Sequence, residues 1–140
     1  MFTIDTDTEF GGRVRTRLTD ELVVWLTTVG KSGTPQPNPV WFYFNGEEIL
    51  IFSQAGKPKV HNVRHSELVS VHFNATEYGG DVVVFTGTAK IDESGPTEEE
   101  RTAYNKKYAE GLASLNMTAA KFHEEYPVLI RITPIKVRGF

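Results

Sequence analysis

The amino-acid sequence predicts a mainly β protein, a small β-barrel with flanking helices. Three observations carry that prediction. About six short runs are rich in β-branched and aromatic residues, most are joined by short turn-like connections, and the chain shows little strand–helix–strand alternation. At 140 residues and 39% hydrophobic content, it reads as a single domain over residues 1–140, large enough to build a core unaided.

The elements follow in order. Residues 1–20 form a lead-in with a short helix from about Phe10 to Glu21, whose start is weakened by Gly11 and Gly12. VVWLTTV (23–29) is a β-branched strand, and GKSG (30–33) is a turn. TPQPNPVWFYF (34–44) is a second strand. Pro35, Pro37 and Pro39 cannot donate to a ladder, so its first half belongs at an edge. Asn45-Gly46 is a hairpin signal, and EEILIFS (47–53) is the returning strand. Residues 58–65 are a short helix opened by Pro58.

ELVSVHFNA (67–75) alternates, with Val69, Val71 and Phe73 on one face and Leu68, Ser70 and His72 on the other. After a Tyr78-Gly79-Gly80-Asp81 turn, VVVFTGTAKI (82–91) is a strand with Gly87 at a possible bulge. Residues 96–126 are a helical insertion before the last strand. Thr97 and Glu100 make a capping box, and Ala103, Tyr104, Lys107, Tyr108 and Leu112 share a helix face. Thr118 opens a shorter helix with Phe122 and Tyr126 one turn apart, which Pro127 ends. VLIRITPIKVRGF (128–140) is the final strand.

Composition excludes several functions. There is no cysteine, so disulfide scaffolds, thiol nucleophiles and thiolate metal sites are out. The net charge of -3 argues against nucleic-acid binding through bulk charge. No apolar run approaches the length of a membrane span, and the N-terminus lacks a secretory pattern, so the sequence reads as a soluble cytoplasmic protein.

Against that acidic background, no Asp or Glu occurs from Ile49 to Ser66, a stretch that holds Lys57, Lys59, His61, Arg64 and His65. A helix N-terminus presents unpaired N–H groups and a partial positive charge. Lys57 and Lys59 flank that entrance, Gly56 allows close approach, and Ser53 and Gln54 add polar groups. The combination suits a phosphate, with a solvated basic loop as the alternative reading. His61 and His65 are four apart on the helix, but no third ligand accompanies them and no metal site is expected.

The strand–GKSGTPQPNPVWFYF–NG–EEILIFSQAGKPKVHNVR–SELVSVHF order, with the terminal RITPIKVRGF, resembles the pyridoxamine 5′-phosphate oxidase-like split-barrel superfamily. Within it, the chain is most similar to small actinobacterial enzymes that use the deazaflavin coenzyme F420. The resemblance covers residues 20–140. It implies a six-stranded FMN-binding-type split barrel and a homodimer with cofactor sites at the interface. It further implies that Ser53, Gln54, Lys57 and Lys59, with Asn62 nearby, surround the cofactor phosphate. Asn38, Pro39, Val40 and Trp41 would run beside the ring.

Hydride chemistry in that group belongs to the cofactor, so no side-chain nucleophile is required. The implied activity is F420-dependent oxidoreduction of an unsaturated or quinone-like small molecule. Alternatives are an FMN-dependent reductase or oxidase, and a non-catalytic cofactor- or haem-binding barrel. The stretch VWFYF lacks the Arg and Lys of pyridoxamine-phosphate oxidases proper, and the C-terminus lacks their His, which favours the deazaflavin branch. Arg131, Lys136 and Arg138 are left to meet a polyglutamate tail or solvent. The apolar stretch 40–44 is expected to be buried between protomers.

Overall fold

A computed structural model describes residues 2–140, so Met1 of the lead-in lies outside the described residues. Helix α1 (Glu9–Asp20) is capped by Thr8, whose hydroxyl accepts from Gly11 N–H at 2.9 Å. Strands β1 (Val24–Val29), β2 (Pro35–Val40), β3 (Tyr43–Phe44) and β4 (Ile49–Ser53) follow. Next come α2 (Pro58–His65), β5 (Leu68–His72) and β6 (Val83–Ile91), then α3 (Glu98–Lys107), α4 (Ala109–Ser114), α5 (Ala119–Glu125) and β7 (Val128–Gly139).

All strands join one antiparallel sheet in the order β2-β1-β5-β6-β7-β4-β3. Its two edge strands, β2 and β3, are consecutive in the chain and separated only by residues 41–42. Three Cα–Cα steps span at most about 11 Å. A flat sheet of seven strands would hold its edges roughly 29 Å apart. The sheet therefore curls until its edges nearly meet, which makes a split barrel.

The expected single strand over 34–44 is thus two, and the sheet has seven strands rather than six. The break has a local cause. The Tyr108 hydroxyl accepts from Phe42 N–H at 2.8 Å and lies 2.9 Å from Phe42 O, so the backbone of Phe42 bonds to a side chain instead of a neighbouring strand. Prolines at every second position of β2 turn their missing donors to the free edge, so the ladder with β1 loses nothing. The Asn45-Gly46 turn closes over four residues rather than two, because the Asn45 side chain accepts from both Glu47 and Glu48 N–H. Gly87 does sit at a bulge: the register shifts between Thr86 and Gly87, and a Cβ there would lie 2.2 Å from Thr133 O.

Two cores result. Inside the curl, Leu26, Ile49, Ile51, Val71, Phe85, Ile130 and Ile132 pack with Val14 and Leu18 of α1 and with Val60 and Val63 of α2. Outside it, Leu50, Phe52 and Leu129 meet Tyr104, Tyr108, Leu112 and Phe122 of the helical insertion. β4 is consequently buried on both faces and does not alternate. The expected long helix after Thr97 bends at Tyr108 into α3 and α4, while the hydrogen bonds run through (Tyr108 N–H to Tyr104 O, Leu112 N–H to Tyr108 O).

Lys107 pays for this packing. Its Nζ is buried without a hydrogen-bond partner among the described residues, 3.6 Å from the centroid of the Phe42 ring. Burial pushes its pKa down to about 8, against the pull of Asp20 and Glu21. Below pH 8 both folded and unfolded chains carry the charge and the folded state bears its full burial penalty. Between pH 8 and 10 the folded amine neutralises first, so stability should rise with pH. Lys107→Met should flatten that rise and add about 1–2 kcal/mol at pH 7, because the ring contact offsets part of the penalty. Urea unfolding of both proteins from pH 7 to 10 checks this; a parallel rise in the variant would refute it.

Candidate functional site

Helix α2 begins where β4 ends, and the connection supplies a cationic entrance. Gly56 takes φ +80, with open space where a side chain would point. Lys57 is the N-cap but makes no side-chain capping bond, Pro58 fills the first turn, and that turn contains no acidic residue. Pro58 has no N–H and Val60 N–H donates to Lys57 O at 3.0 Å, so the Lys59 N–H is the first-turn donor left without an acceptor among the described residues. Lys57 is exposed and Lys59 half-buried. Among the described residues neither has a carboxylate within 4.0 Å. Burial, and then the neighbouring Lys57 charge, lower the pKa of Lys59. Two cations without counter-charges on one helix entrance constitute an anion site in electrostatic terms.

This entrance opens onto a cavity of about 450 Å³. Seven of the residues expected at the site line it: Pro39, Val40, Trp41, Ser53, Gln54, Lys57 and Lys59. Ser53 is 2% exposed, and its hydroxyl donates to Gln54 O at 2.9 Å. Two expected residues lie outside the lining. Asn38 faces Leu26 across the β1–β2 ladder. Asn62 is buried, and its amide donates to Thr28 Oγ1 at 3.0 Å and Gln36 Oε1 at 2.7 Å, so it ties α2 to β1 and β2.

The remaining wall is apolar and was not read as site from the sequence: Val23, Phe52, Tyr104, Leu115, Met117, Phe122 and Tyr126. Most come from α3, α5 and the segment between α4 and α5. The helix-face spacing of Tyr104 and of Phe122 with Tyr126 is the signal that marks them, although spacing alone does not separate a cavity wall from a packed face. Trp41 is held in a stack, 4.4 Å from the Tyr108 ring at 6° and 5.9 Å from Phe122 at 21°. Gly111 makes room for it, since a Cβ there would come within 3.1 Å of the indole.

Within the chain Phe42 is fully buried and Trp41 is stacked on helix residues, while Val40, Trp41, Tyr43 and Phe44 stay half-buried. One expectation is corrected: Arg131 neither faces solvent nor remains available to a tail. It is 9% exposed and bound to Asp92, Glu100 and Glu48 at 2.6, 2.7 and 3.2 Å. Lys136 and Arg138 are exposed. His61 and His65 are exposed on α2, the cavity lining contains no histidine, and no three His, Asp or Glu gather around a metal position among the described residues. Among those residues no helix is long and apolar enough to cross a membrane.

The geometry can thus hold a planar apolar group with an anionic end. Comparison with known proteins gives this arrangement a setting. The family model described as pyridoxamine 5′-phosphate oxidase matches residues 10–139. No curated protein sequence matches significantly. Among solved structures, a putative pyridoxamine 5′-phosphate oxidase from Listeria innocua is similar at 21% identity, with TM-score 0.65, over 91% of this chain and 94% of that one. An F420 reductase is similar at 20% identity, with TM-score 0.66, over 89% and 94%. HutZ, the heme storage protein of Vibrio cholerae, is similar at 15% identity, with TM-score 0.71, over 94% and 95%. At these identities the structural matches show the shared fold.

Proposed function

The chain belongs to the pyridoxamine 5′-phosphate oxidase family, and on that premise we propose that it is an F420-dependent oxidoreductase acting on an unsaturated or quinone-like small molecule. The observation that carries the proposal is the pair of lysines without carboxylate partners at the mouth of an aromatic cavity. The residues present fit such a cofactor: an uncapped helix start and two ammonium groups for a phosphate, beside an apolar wall for a flat ring. The bound deazaflavin would supply the hydride.

The chain's own residues do the rest. Lys57 and Lys59, with Ser53 and Gln54, bind the anionic end. Pro39, Val40 and Trp41 border the planar part, and Trp41 is pre-set in its stack with Tyr108. Phe52, Phe122 and Tyr126 exclude water from the inner end. FMN is the second reading, favoured by the family match itself, because its phosphate and ring make the same demands. A haem-binding role draws support from the likeness to HutZ, although the cavity offers no histidine to an iron.

We extend the proposal to a cytoplasmic homodimer. Leu68 of β5 and Ile135 of β7 are large apolar side chains left 64% and 62% exposed on the sheet. Fluorescence titration with F420 and separately with FMN tests the cofactor, and light scattering on the same samples reads the oligomeric state. Lys57→Ala with Lys59→Ala should weaken F420 binding by about 1–3 kcal/mol through lost charge-assisted bonds. Unchanged affinity in that double variant would place the phosphate elsewhere. Preferential FMN binding would move the chemistry to ordinary flavin, and binding of neither would end the enzyme reading.

A further inference from the structure

One polar group in the cavity has no part in holding a phosphate or a ring. Tyr104 lines the inner wall and is 1% exposed. Its ring is fixed by Phe52 at 4.8 Å, Tyr108 at 4.8 Å and Phe122 at 5.5 Å. Its hydroxyl makes no hydrogen bond with any described residue. Nor is it sealed in the protein, since Lys107 Nζ is the one fully buried side-chain polar atom without a partner among those residues. The sliver of Tyr104 that remains open therefore includes its hydroxyl, and Tyr104 is one of the residues that line the cavity. Phenol groups so deeply desolvated are ordinarily hydrogen-bonded. The hydroxyl is thus a donor that no described residue of the chain engages.

We propose that the Tyr104 hydroxyl is a specificity-determining donor, which binds the carbonyl oxygen of a planar conjugated ketone or quinone lying in the aromatic end of the cavity. Burial, reinforced by the neighbouring Tyr108 and Tyr126, pushes its pKa up, so it stays neutral and keeps a proton to donate. The surrounding wall of Phe52, Phe122 and Trp41 supplies flat apolar contact and no competing charge. One donor set into an apolar slot discriminates strongly, because a ligand lacking the oxygen leaves the hydroxyl unpaired. The inference rests on the oxidoreductase reading for its physiological substrate, but the binding it asserts does not need the cofactor.

The test compares menadione with 2-methylnaphthalene, which has the same ring outline without the oxygens, on wild-type protein and on Tyr104→Phe. The variant keeps the ring and its stacking, and its melting temperature checks that it folds. Menadione affinity should fall about 5–10-fold in the variant while the hydrocarbon's changes less than about 2-fold. Equal changes for both probes, or no binding of either by the wild type, would overturn the proposal. Should the variant fail to fold, fluorine NMR of wild-type protein carrying 3-fluorotyrosine decides. The Tyr104 resonance must move with menadione more than with the hydrocarbon, and equal shifts would overturn it. F420 titration of the same samples keeps the two readings apart. Loss of F420 binding with menadione discrimination intact would remove the cofactor proposal and leave this one standing.

Discussion

Replacing Arg131 with alanine should destabilise the protein by about 3–5 kcal/mol. Its guanidinium donates to Asp92 Oδ2 at 2.6 Å and to both oxygens of Glu100 at 2.7 and 2.8 Å, with Glu48 at 3.2 Å. The three carboxylates belong to the β3–β4 turn, the end of β6 and the first turn of α3. One side chain thus ties the helical insertion to the sheet. Glu100 is only 8% exposed and also closes the capping box with Thr97, so removing its partner strands a carboxylate at the base of α3. Urea unfolding at constant m reads the loss. A change below about 1 kcal/mol would show that water or a lysine takes over the pairing.

The same cluster predicts an acid limb. The Arg131 guanidinium holds the Glu100 carboxyl down at about 2, and hydrogen bonds from Ser94 and then Arg131 hold Asp92 at about 2. Both are depressed relative to ordinary values of 4.5 and 3.8. Their contribution is complete above pH 4.5 and drains away as pH falls toward 2, where the folded state too becomes protonated. In Arg131→Ala the slope of stability across that window should shrink.

Arg131 also shows why part of this molecule was not legible in the sequence. In a strand reading RITPIKVRGF it looks like one of several basic residues, because its partners lie 31, 39 and 83 positions away. Features set by neighbours in sequence were readable: the Thr97–Glu100 box, the Thr118 cap and the bounds of α2 each follow from local sterics and hydrogen bonding. The cationic half of the cavity was readable for the same reason, since two short segments carry it. The aromatic half depends on α3 and α5 docking outside β4. Periodicity shows that a helix has an apolar face but not what that face meets. Asn62 illustrates the converse, close to Lys57 and Lys59 in sequence yet on the buried face of α2 with Val60 and Val63.

Tyr108→Phe should cost about 2–4 kcal/mol and disturb the cavity at a distance. The hydroxyl accepts from Phe42 N–H at 2.8 Å, and its proton serves Leu22 O at 2.8 Å or Phe42 O at 2.9 Å. Phe42 is wholly buried between the two sheet edges, so its amide is shielded from water, and each orphaned backbone group costs about 1–3 kcal/mol. The aromatic ring survives in the variant, and with it the 4.4 Å stack on Trp41, so the loss isolates the hydrogen bonds. The junction it pins is the one that lets the curled sheet bring Trp41 to the cavity from between β2 and β3. A looser junction predicts faster amide exchange at Phe42 and a changed tryptophan emission, both without loss of the Lys57–Lys59 entrance. If stability drops by less than about 0.5 kcal/mol with exchange at Phe42 unchanged, a water molecule replaces the hydroxyl, and the strand break is held by packing of Phe42 and Trp41 alone.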